Sequence, residues 1–417
     1  MAVILFKNIK SIIQAYETSP GIKKGADMAR LTTLDNAWMV TRDEFIDSFG
    51  SMDTWNSIIE KFPDAEVIDV TGKFIMPAFC DSHTHIVYAG SRENEFVYKI
   101  KGMSYEDIAK QGGGIINSAK RLQQTGEDEL YENAQRRINE MMKMGTGAVE
   151  IKSGYGLTTT DEIKMLRVVK RLKETNTIAV KSTFLGAHAM PVEYKENRQG
   201  YIDEITQKML PQIAEEGLAD YCDVFCDKGF FTVEETDQIL SKASELGMKP
   251  KIHANELDYS GGIQVGVKYG AISVDHLEFT GNEEIETLAQ SNTMPTLLPS
   301  TAFFLRLHYP PARKMMDAGL PLSLASDYNP GSSPSGNMFF IMSLACIQMK
   351  MLPEEVINAA TINASYAMEL NHTHGSITPG KAASFIITEE IPSYTYLMYS
   401  FGRPCVSQVF VKGKLVC

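Results

Sequence analysis

The sequence predicts an α/β protein, a (β/α)8 barrel of the TIM type with a small β-sandwich domain built from both chain termini. The middle of the chain alternates apolar, strand-like runs with amphipathic helical stretches, which is the pattern of a parallel sheet built from βα units. Both ends of the chain contain short strand-like runs separated by turn residues. We therefore expect residues 1–73 and 375–417 to pair into the small β-domain and residues 74–374 to form the barrel.

Apolar runs of strand length are the candidates for the barrel strands. They span residues 74–81, 147–152, 178–186, 221–226, 250–255, 271–276, 293–298 and 321–326. Helical patterns such as DEIKMLRVVKRLKET and TVEETDQILSKASEL lie between them. A barrel of this kind has its active site at the C-terminal ends of its strands. Before the barrel, residues 42–61 are predicted to form a helical insertion in the small domain.

Composition and charge are those of an ordinary globular protein. Of 417 residues, 44% are hydrophobic and 22% are charged, which does not favour disorder or a coiled coil. The formal net charge is −12, and no basic run suggests a nucleic-acid partner. The sequence contains neither a secretory leader pattern nor an apolar run of the roughly 20 residues that a membrane helix needs. We therefore expect a cytoplasmic protein that binds a small molecule, with no nucleic-acid or membrane partner.

The first predicted barrel strand ends in His83-Thr84-His85. Alternate side chains of a strand share one face, so two imidazoles at this spacing point the same way. Such a pair can provide the first two ligands of a metal ion, although structural histidines also occur at this spacing. The context of the pair therefore has to decide between a metal site and core packing.

Other residues with chemically active side chains also follow predicted strands. His188 follows the third strand, His253 and Glu256 follow the fifth, His276 ends the sixth, and Asp327 follows the eighth. Because the C-terminal ends of the strands meet at one rim of a barrel, we expect these side chains to lie close together. Scattered core histidines would not show this distribution.

Three imidazoles and one carboxylate at this rim suit one divalent metal ion, Zn²⁺ or Fe²⁺, with an open position for water. The predicted metal ligands are His83, His85, His253 and Asp327. A bound cation lowers the pKa of its water to about 7, which makes hydroxide available at neutral pH. Glu256 is predicted to take the proton from this water and to deliver it to a leaving nitrogen, although in isolation it could be a solvated loop carboxylate.

Three features leave alternatives open. His276 is predicted to polarise the attacked carbonyl group or to stabilise the oxyanion, but it could instead form a structural hydrogen-bonded pair with Asp275. Lys152 could be a carbamylated lysine that bridges two metal ions. Its place at the end of the second strand, rather than near the middle of the barrel order, favours a single metal. A second His-x-His pair, His372 and His374, follows a helical stretch and is predicted to lie in a solvated loop.

Several motifs resemble those of the amidohydrolase superfamily: HTH at a first strand end, the later HANE, DH and SD, and the flanking β-domain. Longer stretches, HTHIVYAGSRENEF, GGGI, EIKSGYGL, FLGAHAMP, KIHANEL and SDYNPGSSP, resemble members that act in histidine degradation on 4-imidazolone-5-propanoate. The resemblance implies hydrolysis of the ring amide to N-formimidoyl-L-glutamate by a metal-activated water, in a homodimer. Ala78 and Phe79 depart from a common P-G-F-x-D pattern, and Ser384 replaces a frequent aspartate.

The resemblance also implies substrate contacts. Arg92 matches a substrate-binding arginine whose guanidinium fork suits the propanoate carboxylate; otherwise it would pair with Glu93 or Glu95. His188 resembles a substrate-binding histidine rather than a metal ligand. The implied substrate-binding residues are Arg92, Tyr155, His188, Glu256, Asn329, Gly331 and Ser332, and the implied catalytic residues are Glu256, His276 and Asp327.

Two other functions fit parts of the pattern. An amidohydrolase acting on a purine or triazine ring would share the barrel and the metal ligands, but a neutral ring has no need of the guanidinium of Arg92. A non-catalytic assembly protein would keep the barrel after losing the metal site. Every predicted ligand is present together with Glu256, which favours an enzyme.

Overall fold

The computed structural model of the chain describes residues 2–103 and 114–417. Gly112 and Gly113 of the GGGI motif lie outside the described residues. The strands are β1 (Val3–Ile13), β2 (Thr33–Arg42), β3 (Phe45–Ser51), β4 (Glu66–Asp69), β5 (Lys73–Pro77), β6 (Phe79–Thr84), β7 (Thr146–Lys152), β8 (Ala179–Ala187), β9 (Tyr221–Cys226), β10 (Lys249–Ala254), β11 (Ser273–His276), β12 (Met294–Leu297), β13 (Ser323–Leu324), β14 (Phe385–Glu390), β15 (Val406–Val411) and β16 (Lys414–Leu415).

Helices connect the central strands. The α-helices are Trp55–Lys61, Glu93–Ile100, Ile115–Gln124, Glu127–Lys143, Thr159–Thr175, Arg198–Glu204, Leu210–Glu216, Val233–Glu245, Gly262–Lys268, Asn282–Ala289, Pro299–Leu305, Ala312–Asp317, Met338–Met349, Pro353–Asn358, Ala364–Tyr366 and Tyr396–Tyr399. Short 3-10 turns cover Gly25–Ala29, Met52–Thr54 and Val192–Tyr194, and π-helical turns cover Ile205–Met209 and Ala359–Asn363. No helix within the described ranges is both long and apolar enough to cross a membrane.

The helix Val233–Glu245 shows how the sequence specifies these elements. Its N-cap Thr232 accepts a hydrogen bond from the backbone N of Glu235, whose side chain accepts one from the backbone N of Thr232 in return. This capping box satisfies two backbone donors at the helix start. Ile239 and Leu240 are buried against the barrel, while most of the remaining helix surface is polar. The helix therefore packs on the outside of the barrel through a single apolar face.

Among the described residues, strands β6 to β13 form the predicted parallel barrel in sequence order. The first and last strands meet just beyond the end of β13. There the backbone N of Asp327 donates to the carbonyl oxygen of His83 at 3.0 Å, and the backbone N of His85 donates to that of Tyr328 at 2.9 Å. This near-closure brings three of the predicted metal ligands into contact.

The strands from the two termini form one mixed sheet, in the order β16-β15-β14-β5-β1-β2-β3, with β4 paired to β1. The predicted pairing of the two termini is therefore confirmed. Phe6, Phe385 and Phe410 lie with their ring centroids 5.0 to 5.3 Å apart and join strands of the two chain ends into one core.

The predicted strand 74–81 is two strands. Lys73–Pro77 forms β5 in the sheet of the termini, while Phe79–Thr84 forms β6, the first barrel strand. Only Ala78 separates them, and both pieces are apolar and buried, so hydrophobicity alone could not divide them. The domain bounds stay a prediction, but a boundary at residue 74 would cut through β5.

The prediction of a helical insertion at 42–61 is only partly correct. Phe45–Ser51 is a strand that pairs antiparallel with β2, after a turn in which Asp43 has a φ of 51°. The helix is limited to Trp55–Lys61. The hairpin depends on a left-handed turn residue and on pairing with β2, and local helix propensity does not reveal either.

Candidate active site

A cavity of about 490 Å³ opens at the C-terminal ends of the barrel strands. Its volume lies in the range that small-molecule sites usually have. It is lined by His85, Arg92, Lys99, Ile115, Tyr155, His188, Phe225, Phe230, His253, Glu256, Leu257, His276, Leu305, Asp327, Asn329, Gly331 and Ser332. Every predicted substrate-binding and catalytic residue is among them. His83 lies beneath the cavity, against His85.

The four predicted metal ligands converge in the structure. The Nε2 atom of His85 lies 3.2 Å from that of His83 and 3.4 Å from that of His253. The Oδ1 atom of Asp327 lies 3.3 Å from His85 Nε2 and 3.5 Å from His83 Nε2. The three imidazoles are buried, and their ring nitrogens are close enough to share one metal ion.

These four separations are close to those between neighbouring ligands of one metal ion. Bonds of about 2.0–2.1 Å from a zinc-like ion place neighbouring ligand atoms roughly 3.3–3.4 Å apart. Burial lowers the pKa of His83 and of His85 below its ordinary value, so both imidazoles are neutral and offer a lone pair. Burial alone would raise the pKa of Asp327, but hydrogen bonds with His85 and Thr301 outweigh it, so the pKa is lowered and the carboxylate is ionised.

The backbone is strained where strands end at this site. Asn255, His276 and Asp327 have φ angles of 55°, 84° and 50°, in the left-handed region that side chains with a Cβ seldom adopt. Such strain is concentrated at functional sites, where the surrounding structure holds it. At this site, the left-handed residues lie where the chain leaves a strand and enters the cavity wall.

Glu256 and His276 lie together beside the four-ligand cluster. Glu256 Oε2 is 3.7 Å from His276 Nδ1, and both side chains are buried. Burial, together with the charges of Asp327 and Asp227, raises the pKa of Glu256 to about 8. Burial and the neighbouring His253 lower the pKa of His276 to about 3, so this imidazole is neutral. Glu256 can therefore gain or lose a proton near neutral pH, while His276 stays a neutral imidazole.

Arg92 lies in the cavity wall and is held by Glu95. Its Nε atom donates to Glu95 Oε2 at 2.9 Å, and its Nη2 atom donates to the same oxygen. Glu95 Oε1 in turn accepts a hydrogen bond from the backbone N of Gly114 at 3.0 Å. A Cβ at position 331 would collide with Nη1, so the glycine there lets the guanidinium approach the loop. Arg92 therefore pairs with Glu95 and also faces the cavity, and its binding of a substrate stays a prediction.

Lys99 is a second cation in the cavity wall, and the sequence interpretation missed it. Its Nζ atom lies 3.4 Å from the carbonyl oxygen of Gly331. Burial and the neighbouring Arg92 lower its pKa below the ordinary value for lysine. The helix Glu93–Ile100 places Lys99 two turns after Arg92, and this seven-residue spacing is the signal that could have identified it.

Tyr155 and His188 form an aromatic wall next to the four-ligand cluster. The ring of His188 is stacked on that of His85, with centroids 5.2 Å apart, and the Tyr155 ring lies 5.4 Å from His188. His188 Nδ1 is hydrogen-bonded to the carbonyl oxygen of Gly154 at 3.0 Å. Gly154 has a φ of 113°, and a Cβ there would press on the His188 ring. His188 lies outside the three-histidine cluster.

The loop after Asp327 is organised by one side chain. Asn329 Oδ1 accepts hydrogen bonds from the backbone N of Gly331 at 2.7 Å and of Ser332 at 2.8 Å. Its Nδ2 atom donates to the carbonyl oxygen of Asp327 at 2.6 Å. Asn329 therefore shapes the turn, and Gly331 and Ser332 line the cavity as a result.

The second His-x-His pair and Lys152 lie in different surroundings. His372 is exposed, as predicted, but His374 is 7% exposed and therefore buried. Its carbonyl oxygen accepts a hydrogen bond from Lys381 Nζ at 2.8 Å. The prediction of a solvated loop is thus wrong for His374, because the loop packs against the segment that contains Lys381. Lys152 forms ion pairs with buried carboxylates below the cavity.

Comparison with known proteins places this site in a large family. Residues 74–416 match the amidohydrolase family. The imidazolonepropionase of Flavobacterium johnsoniae is 54% identical over 414 residues, which cover 99% of this chain and 100% of that protein. The imidazolonepropionase of Alkaliphilus metalliredigens is 40% identical and covers 100% of this chain and 98% of that protein.

Solved structures share the architecture at much lower identity. Guanine deaminase of E. coli has a TM-score of 0.76 at 14% identity, covering 100% of this chain and 99% of that one. An adenosine deaminase from Xanthomonas campestris with bound zinc has a TM-score of 0.69 at 16% identity, covering 99% and 92%. At these identities the likeness concerns the fold alone.

Proposed function

The chain belongs to the amidohydrolase family and, within it, to the imidazolonepropionases. We propose that its cavity is the active site for hydrolysis. The protein hydrolyses the ring amide of 4-imidazolone-5-propanoate to N-formimidoyl-L-glutamate, a step of histidine degradation. The observation that supports this most strongly is the content of one cavity, which brings together the four-ligand cluster, Glu256 and two cations. This combination provides for a nucleophile, a proton carrier and a carboxylate anchor.

We propose that His83, His85, His253 and Asp327 hold one divalent ion, Zn²⁺ or Fe²⁺. When bound, such an ion supplies an activated water molecule and polarises the ring carbonyl. The donor set favours neither metal over the other, since imidazole and carboxylate ligands suit both. The homodimer and the cytoplasmic location stay predictions.

The residues of this chain then carry the proton. Glu256 accepts a proton from the attacking water and delivers it to the ring nitrogen as the amide C–N bond breaks. His276, neutral at pH 7, donates a hydrogen bond to the carbonyl oxygen, where negative charge develops. Their separation of 3.7 Å would let the proton carrier and the oxyanion donor act on one carbonyl group.

The substrate is oriented by the rest of the cavity. Arg92 keeps Nη1 available on the side of Gly331, because Glu95 occupies its Nε and Nη2 atoms. We propose that Arg92 and Lys99 bind the propanoate carboxylate, and that Tyr155 and His188 hold the planar ring. Asn329, Gly331 and Ser332 shape the wall beside the carboxylate. A purine or triazine ring would offer neither cation a carboxylate, which favours the imidazolone substrate.

Replacing Arg92 with alanine is expected to raise KM roughly 10- to 100-fold with a smaller change in kcat, because charge-assisted hydrogen bonds to the carboxylate are lost. Steady-state kinetics on freshly generated substrate measure this. Arg167→Ala is the matched control, since Arg167 pairs with Glu216 on the outer surface. An unchanged KM in the Arg92 variant would exclude this residue as the carboxylate anchor.

A further inference from the structure

Lys152 is the last residue of β7, and its ammonium group is completely buried below the cavity. Its Nζ atom lies 2.6 Å from Glu150 Oε1, 2.9 Å from Asp223 Oδ2 and 3.7 Å from Asp275 Oδ2. These carboxylates come from three strands of the barrel: β7, β9 and β11. One cation therefore joins carboxylates across the barrel interior.

The two aspartates hold two of the proposed metal ligands. Asp275 Oδ2 lies 2.6 Å from His83 Nδ1, and Asp223 Oδ2 lies 2.9 Å from His253 Nδ1. Asp223 Oδ1 also accepts a hydrogen bond from the backbone N of His253 at 3.0 Å. The oxygen atoms that face Lys152 are thus the same atoms that face the two imidazoles.

For His83, the contact with Asp275 favours one ring nitrogen as the atom that faces the four-ligand cluster, and Asp223 lies close to the corresponding nitrogen of His253. An imidazole whose Nδ1 donates to a carboxylate keeps the lone pair on Nε2, the atom that points into the four-ligand cluster. Residues that orient metal ligands in this way usually contribute about 10- to 100-fold to metal affinity. His83 and His253 lie on different strands, so a group that fixes both carboxylates would align two ligands at once.

We propose that Lys152 is a positioning residue for the metal centre, which it aligns by fixing the Asp223 and Asp275 carboxylates behind His253 and His83. The inference rests on the proposed function only in requiring that the four-ligand cluster binds a metal ion. It gives Lys152 a role as an ammonium ion, in place of the bridging carbamate that its position on the second strand already disfavoured.

Lys251 offers an internal comparison. It is also completely buried in the barrel, and its Nζ atom pairs with Glu150 Oε2. Its other hydrogen bond goes to the carbonyl oxygen of Ser82 at 3.1 Å. Lys251 therefore shares with Lys152 the burial, the charge and the Glu150 partner, but no ion pair joins it to the two aspartates among the described residues.

Two double variants test whether the contacts of Lys152 with the two aspartates affect metal binding. Lys152→Met/Glu150→Gln and Lys251→Met/Glu150→Gln each remove one buried ammonium and one buried carboxylate, so the net charge of the network is unchanged. Metal affinity is measured by competition with a chromogenic chelator for Zn²⁺, and ligand geometry by the visible absorption of the Co²⁺-loaded proteins. Thermal unfolding of the chelator-treated proteins reports the stability of each fold separately.

The Lys152 variant is expected to bind Zn²⁺ at least about 10-fold more weakly than wild type and to show altered Co²⁺ absorption, whereas the Lys251 variant stays within about threefold. Equal affinities of the two variants, or wild-type affinity in the Lys152 variant, would overturn the proposal. If the Lys152→Met/Glu150→Gln variant does not fold, the Lys152→Gln/Glu150→Gln variant replaces it, and the same results would support or overturn the proposal. Wild-type protein that binds no metal would instead contradict the proposed function.

Discussion

Replacing Glu256 with glutamine is expected to lower kcat by roughly 10²- to 10⁴-fold, the usual contribution of a positioned acid–base group. Glutamine fills the same space but cannot accept the proton of the attacking water. Glu256 is buried 3.7 Å from His276 and belongs to the cavity wall rather than to the four-ligand cluster. Metal content should therefore stay at the wild-type level while turnover collapses.

The matched control is Glu284→Gln. Glu284 is a buried carboxylate that caps a helix by accepting from the backbone N of Gly281, away from the cavity. We expect its kcat to stay within about threefold of wild type, as for a substitution remote from the reaction. A Glu256→Gln enzyme with full metal content and wild-type kcat would remove Glu256 from the mechanism.

The pH dependence of the wild-type enzyme follows from the same residue. Glu256 must be ionised to accept a proton, so kcat is expected to fall as the pH is lowered. Its pKa is raised to about 8 by burial and by nearby carboxylates, and the positive charge of a bound ion would shift it back downward. A pH profile of kcat should therefore show an acid limb below pH 8, and a rate that rises continuously toward acid would contradict this role.

Removing the metal is expected to reduce activity by at least about 10³-fold, because the activated water nucleophile is lost with it. Activity measured after dialysis against a chelator, and again after adding Zn²⁺ or Fe²⁺, tests this and identifies the metal that restores turnover. The proposed site predicts about one equivalent of metal per chain.

Two histidine variants provide the control for the metal experiment. His253→Ala should leave less than about a tenth of an equivalent of metal, since it removes one of the clustered ligands. His308→Ala should keep the full content, because His308 Nε2 is hydrogen-bonded to the carbonyl oxygen of Glu278 outside the cluster. Activity that survives in protein without metal, or two equivalents per chain, would contradict the proposed centre.

The rim of the barrel could be predicted from the sequence because strand geometry is regular. Two rules predict that His83, His85, His253 and Asp327 meet: alternate residues share a face, and parallel strand ends meet at one rim. The structure brings these four side chains to within 3.2–3.5 Å of a neighbour. Local sequence therefore predicts that these side chains lie together, while their roles as metal ligands stay a prediction.

Contacts that cross the barrel interior could not be predicted in the same way. Lys152, Asp223 and Asp275 stand on three different strands, and each looks like an isolated charge in an apolar run. Their contacts depend on the tilt and stagger of the closed barrel, which hydropathy does not encode. Lys99 was missed for a simpler reason, since its helix follows a loop and its role depends on how that helix folds over the cavity.

The central claim is tested most directly by turnover of freshly generated 4-imidazolone-5-propanoate, with substrate loss followed by absorbance and the product identified by mass. We expect N-formimidoyl-L-glutamate to form, to stop forming on chelation, and to form again when metal is restored. A protein with a full metal site that leaves this substrate unchanged, while hydrolysing a ring without a carboxylate side chain, would contradict the account.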